Sequence, residues 1–371
     1  MGISRRVLLR RIGAAAAGAA AIPALAEAST RPSGPIRLDR NENPYGPSPG
    51  AIAAMLDAVR TASNRYPGAD AQALRAAIAR RHRVSQDQVV LGCGSTEILR
   101  MAASAFLAAR KTLVVARPSF EPMSECARRV GAEAVAVPLT RDYAHDLTAM
   151  LARCDASTGL VYICNPNNPT GTLTNRRDLE RFIREVPANA YVLIDEAYHQ
   201  YVGQSSDHVS FADRPVNDGR VIVARTFSTI FGLAGLRVGY AVTSPETARL
   251  LAGSGLVENV NSVGARAAIA AIDDADHLRL SVVQNTDDRQ EFINQCHARM
   301  LKPIDSVANF LMMNAGMPAV QVIEHFRTNN VLIAPPIAGF EMFVRVSLGT
   351  PAEMTEFWRV WDLMPVRKTA M

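Results

Sequence analysis

Between residues 89 and 224 short aliphatic and β-branched runs recur, each followed by a longer stretch whose apolar positions repeat with helical spacing. The runs at 89–91, 112–115, 134–137, 160–163, 191–194 and 221–224 are apolar enough to be strands covered on both faces. Stretches such as 96–109, 121–130 and 176–185 read as the helices between them. This alternation predicts an α/β fold built on a doubly wound, mostly parallel sheet. Beyond residue 255 helices mix with a late strand at 343–347, which predicts a smaller α+β C-terminal domain. The expected organisation is a leader over 1–26, an N-terminal arm over 27–60, a large domain over 61–255 and a small domain over 256–371.

The leader has three parts: a basic start around Arg5-Arg6, an alanine-rich run from Ile12 to Ile22, and an A-x-A cleavage site at Ala24-Leu25-Ala26. That layout is a secretory signal, too short and too mild for a spanning helix, and the arginine pair resembles a twin-arginine leader. The expected destination is therefore outside the cytoplasm, in the periplasm or beyond, after folding inside and passage through the twin-arginine export machinery. Removing 1–26 takes away four arginines and no acid, leaving 36 basic against 35 acidic residues. The excess positive charge belongs to the leader, so neither nucleic acid nor stable membrane association is expected. Five dispersed cysteines suit neither a disulfide framework nor a zinc site, and no metal is expected.

Ligands of such sheets gather where the loops after the strands converge. After the first strand, Gly94, Ser95 and Thr96 open a helix whose N–H groups suit an anion, although a plain glycine-containing cap reads the same way. Asn165-Pro166-Asn167-Asn168-Pro169-Thr170-Gly171 is over-specified as a mere turn. Asp195 ends an apolar run, where a carboxylate is costly without a positive partner. Thr226, Ser228 and Arg237 form a second anion-friendly group, Phe120 is placed to stack on a flat ring, and Arg345 sits inside an apolar strand, where a guanidinium needs a carboxylate or phosphate. A planar, phosphorylated pyridine satisfies these groups together.

Taken with Asn41-Glu42-Asn43-Pro44-Tyr45-Gly46-Pro47, Arg65-Tyr66-Pro67-Gly68, Asp195-Glu196-Ala197-Tyr198 and the segment Phe231 to Tyr240, the motifs resemble fold-type I, pyridoxal-phosphate-dependent aminotransferases, nearest the histidinol-phosphate aminotransferase group, over about residues 35–360. The resemblance implies that Gly94, Ser95, Thr96, Thr226 and Arg237 hold the cofactor phosphate, with Tyr66 reaching in from the partner subunit of a homodimer. It implies that Asp195 keeps the pyridine nitrogen protonated, that Asn168 and Tyr198 bond the phenolic oxygen, and that Phe120 covers one ring face. Arg345 would clamp the carboxylate of an amino acid or 2-oxo acid, with Asn168 beside it, and Tyr45 would belong to the arm that closes the pocket.

One position departs from that pattern. The family places lysine after Ser228, and this chain has Thr229, with Thr226 and Arg237 at their required distances on either side. Of the three lysines, Lys111, Lys302 and Lys368, none falls in a strand-end loop. The family lysine links to the cofactor and moves the substrate's α-proton, and a positioned acid/base is worth ~10²- to 10⁴-fold. The expectation is severely impaired amino-group transfer, with pyridoxal phosphate or pyridoxamine phosphate held non-covalently. Two other readings stand beside it: an inert exported protein that binds the cofactor or an amino-acid adduct of it, and a deliberate substitution made to trap an intermediate. A second departure, Ala334-Pro335-Pro336 in place of an arginine common in the histidinol-phosphate branch, argues against histidinol phosphate as substrate. His199, a candidate substitute for the lysine, is expected to face away from Tyr198's side of the chain.

Overall fold

A computed structural model describes residues 34–108, 110–203 and 208–364; the leader at 1–26 lies outside the described residues. Among the described residues twelve strands are formed: β1 (Ile36–Leu38), β2 (Val89–Cys93), β3 (Thr112–Arg117), β4 (Glu133–Pro138), β5 (Thr158–Cys164), β6 (Tyr191–Asp195), β7 (Val221–Thr226), β8 (Val238–Val242), β9 (Lys302–Pro303), β10 (Phe310–Asn314), β11 (Val331–Ile333) and β12 (Phe343–Ser347). Seven of them make one sheet in the order β2-β8-β7-β6-β5-β3-β4. The pairs from β7 to β4 are all parallel, while β8 runs antiparallel to both of its neighbours. The sheet is therefore mostly parallel, and β2, β3, β5, β6 and β7 all end at the same edge.

Period-two alternation distributes the strand side chains to two apolar layers. Val114, Val161, Ile163, Val192 and Ile194 pack on one face. Leu113, Val115, Leu160, Tyr162 and Leu193 pack on the other, against Ile98, Leu99 and Met101 of the helix Ser95–Phe106. Each such aliphatic side chain contributes about 1.5–3 kcal/mol on full burial, so the floor beneath the strand ends is rigid. The helix Arg176–Glu185 shows how local sequence and packing agree: the Asn175 side chain caps it by accepting from the Arg177 N–H, and Leu179, Phe182 and Ile183 supply its buried stripe.

The C-terminal part builds a three-stranded antiparallel sheet, β12-β10-β9, with a third apolar cluster around Phe292, Phe326, Phe357 and Trp358. β1 pairs in parallel with β11, so the chain just after residue 35 is stitched to a segment 295 residues later, Ile36 opposite Val331. Among the described residues no helix is long and apolar enough to cross a membrane.

Candidate active site

At the shared edge of the parallel strands a cavity of about 690 Å³ opens. The strand-end residues Asp195 and Thr226 line it, with Ser95 and Thr96 from the first turn of the helix after β2. Phe120, Asn168, Tyr198, Thr229, Arg237 and, from β12, Arg345 complete the expected set. Gly94 completes the anion cradle through what it lacks. Its φ is +75°, and a Cβ there would collide with the Arg237 Nη2, so the guanidinium packs directly on the glycine. No side chain caps that helix, whose N-terminal N–H groups face the cavity. Arg237 is held from the other side by donating to Ser228 Oγ at 3.0 Å and to the Ala234 carbonyl at 2.9 Å, while Thr226 Oγ1 donates to the same serine.

Asp195 is 2% exposed at the end of β6. One carboxylate oxygen accepts from the Ala197 N–H at 3.1 Å and the other from the Tyr162 hydroxyl at 2.9 Å. Burial pushes its pKa up to about 6, against the lowering effect of those two donors. The site holds a carboxylate prepared for a cation that the surrounding side chains do not supply.

Tyr198 accepts from Asn168 Nδ2 at 3.1 Å and from Asn41 Nδ2 at 3.0 Å, so its own proton remains available to donate. Burial pushes its phenol up to about 12, and it stays protonated. Arg345 donates to Asn168 Oδ1 at 2.6 Å and to the Asp39 carbonyl at 2.9 Å. Its Nε is buried with no hydrogen-bond partner, and desolvation lowers its pKa. An unpartnered guanidinium N–H calls for an anionic acceptor. Thr229 is buried, and its hydroxyl donates to the Ala197 carbonyl at 2.7 Å.

Gly94 and Tyr45 do not line this cavity, and Tyr66 is expected to reach a partner subunit's cavity and not this one. Tyr45 donates its hydroxyl to Asp288 of the helix Ala275–Ala298 at 2.8 Å, and Tyr66 is 88% exposed on the surface. His199 lines a different cavity, together with Arg225, and sits in a single helical turn, His199–Val202, instead of an extended segment. Tyr162 and Cys164 look like core residues of a strand in the sequence, until register sets Cys164 opposite Asp195. Asn41 has no task of its own in the sequence beyond its place in the Asn-Glu-Asn-Pro motif, and its φ of +56° turns the side chain onto Tyr198. Among the described residues no cluster of His, Cys, Asp or Glu could hold a metal.

A cavity at the carboxyl edge of a parallel sheet, with an anion cradle at one end, a buried carboxylate beneath and an arginine at the other end, defines a pyridoxal-phosphate-type site on the fold-type I scaffold. The chain belongs to the class I and II aminotransferase family, whose family model matches residues 33–360. Among curated relatives it is 37% identical over 330 residues to a histidinol-phosphate aminotransferase of Moorella thermoacetica, covering 87% of this chain and 84% of that protein. It is 38% identical over 330 residues to histidinol-phosphate aminotransferase 2 of Pseudomonas aeruginosa, covering 88% of each. The solved histidinol-phosphate aminotransferase of Sinorhizobium meliloti, in complex with pyridoxal-5'-phosphate, superposes with a TM-score of 0.82 at 26% identity over 90% of each chain.

Proposed function

We propose that this chain binds pyridoxal phosphate or pyridoxamine phosphate without a covalent link and transfers amino groups between an amino acid and a 2-oxo acid at a severely reduced rate, because threonine stands at position 229 where the family has lysine. The observation that carries this reading is the environment of Thr229. Its hydroxyl is committed to the Ala197 carbonyl, and no lysine among the described residues lines the cavity.

The remaining residues fit the cofactor. Ser95, Thr96, Thr226 and Arg237 would take its phosphate, with Gly94 leaving room for the guanidinium. Asp195 would gain the cation it lacks from a protonated ring nitrogen, and Tyr198 would donate to the ring's phenolic oxygen. The bound ring would serve as an electron sink for the substrate's α-carbon. Arg345 would hold the substrate carboxylate through the N–H that has no partner in the free protein. What the site lacks is a group to take the α-proton: Tyr198 holds its own proton too tightly, and an alcohol such as Thr229 is far too weak a base near neutral pH.

The same observation favours a second reading, in which turnover is absent and the protein acts as a binder of the cofactor or of its amino-acid adduct. Export after folding, through a twin-arginine leader at 1–26, and assembly as a homodimer complete the proposal. The test is Thr229→Lys. With pyridoxal phosphate added, borohydride reduction followed by mass spectrometry is expected to fix the cofactor on residue 229 of the variant and to leave the wild type unlabelled, and amino-acid turnover is expected to rise by at least ~10²-fold. Rapid turnover by the wild type would overturn the impaired reading; absence of cofactor binding in both proteins would overturn the site itself.

A further inference from the structure

Tyr162 is fully buried in the middle of β5, in a layer of aliphatic side chains, and its hydroxyl donates to Asp195 Oδ2 at 2.9 Å, with the Cys164 thiol also beside it. A buried tyrosine hydroxyl needs an acceptor, and the register of β5 against β6 gives it the carboxylate at the floor of the cavity. We propose that Tyr162 is a positioning residue for the cofactor: its O–H holds Asp195 ionised and fixes the orientation in which the carboxylate meets a ring nitrogen. The inference rests on the reading that this cavity binds a pyridoxal-type cofactor.

The geometry leaves Tyr162 alone in this part. The Ala197 N–H occupies the other carboxylate oxygen, at 3.1 Å. Cys164, the neighbour on the same strand, donates its thiol to the Pro166 carbonyl at 3.3 Å and so gives nothing to Asp195. Glu196, next along the chain, is paired with Arg225 at 2.8 Å and adds a like charge. Tyr198 and Thr226 line the cavity beside Asp195 and are neutral, and the four arginines of the cavity are engaged, Arg237 with Ser228, Arg345 with Asn168, Arg37 with Asp39 and Glu42, and Arg40 with Asp39. Burial and the nearby Asp195 charge push the Tyr162 phenol well above its ordinary value, so it remains a donor throughout the range in which Asp195 titrates. A donor to the charged form of a carboxylate favours ionisation.

The test measures binding and needs no turnover. Affinity of the full-length protein for pyridoxal phosphate is followed by calorimetry from pH 5 to 8, beside an analogue with carbon in place of the ring nitrogen. Wild-type affinity for the cofactor is expected to fall relative to that for the analogue as pH drops through the Asp195 pKa, the titration of the phosphate that both carry cancelling in the ratio. In Tyr162→Phe the fall is expected to begin about one pH unit higher, a shift corresponding to the loss of one hydrogen bond to a charge. A merely structural role would weaken both ligands alike and leave the midpoint in place. Site-specific 3-fluorotyrosine at 162, a stronger donor of the same shape, guards against misfolding of the phenylalanine variant and is expected to move the midpoint downward. Unchanged midpoints in both variants, with cofactor still bound, would overturn the role of Tyr162 alone. No binding of cofactor or analogue at any pH would overturn the cofactor reading as well.

Discussion

The Thr229 hydroxyl donates to the Ala197 carbonyl at 2.7 Å, and the Ala197 N–H in turn donates to Asp195 at 3.1 Å. Position 229 therefore works as a clasp on the turn that carries Asp195 and Tyr198. Thr229→Ala should lower the unfolding free energy by about 0.5–1.5 kcal/mol, since it removes a hydrogen bond to a part-buried carbonyl, while Thr229→Ser should recover most of the loss. Denaturant melts of the three proteins check this, and an unchanged midpoint in the alanine variant would remove the clasp from the account.

Asp195 gives the cofactor-free protein an inverted pH dependence. Its folded pKa, about 6, lies above the unfolded value of 3.8, so the folded state binds the extra proton and this group's contribution to stability declines as pH rises from about 4 to about 6. Asp195→Asn removes the term. The stability difference between variant and wild type should grow over that window to roughly 2–3 kcal/mol in favour of the variant and then level off. Taking the difference cancels the buried His145, lowered to about 4, which acts in the opposite direction in both proteins.

Gly94→Ala should act on one half of the ligand. The added methyl meets the Arg237 guanidinium and demands a left-handed backbone from alanine, a strain of about 1 kcal/mol or more. Pyridoxal phosphate should then bind at least ~10-fold more weakly, with pyridoxal itself little affected, because only the phosphate uses that cradle. Equal losses for the two ligands would place the phosphate elsewhere.

Changing Arg5-Arg6 to a lysine pair should stop the protein leaving the cytoplasm, as judged by fractionation and immunoblot. Undiminished export would refute the twin-arginine proposal.

Much of this could be read along the chain. The six runs from 89–91 to 221–224 became strands β2 to β7, and the loops after the strands converge as the parallel order requires. The expectation of cover on both faces fails for β4, which lies at the sheet edge with Ala136 exposed and Ala134 and Val135 half-buried. β8 was harder, since Val238 to Tyr240 were read as part of the segment around Arg237, and only antiparallel pairing with β2 and β7 marks them as a strand. Relations across long stretches of sequence were also silent. Nothing in the pattern joins Asn41 to Tyr198 or Tyr162 to Asp195; register and a single left-handed residue do so. Tyr45 and Tyr66, assigned by resemblance alone, stand away from the cavity in the single chain.

The backbone N–H of Asn41 donates to Ser347 Oγ, across 306 residues, while its side chain reaches Tyr198. These bonds join almost the first part of the globule to be synthesised to almost the last. During translation the pocket has no roof until Ser347 has emerged from the ribosome, and long-range closures of this kind come late in folding. A nascent chain interrupted before β12 would carry the anion cradle and Asp195 with neither Arg345 nor the Asn41 anchor, so a ligand that needs both ends of the cavity can be taken aboard only by a finished polypeptide.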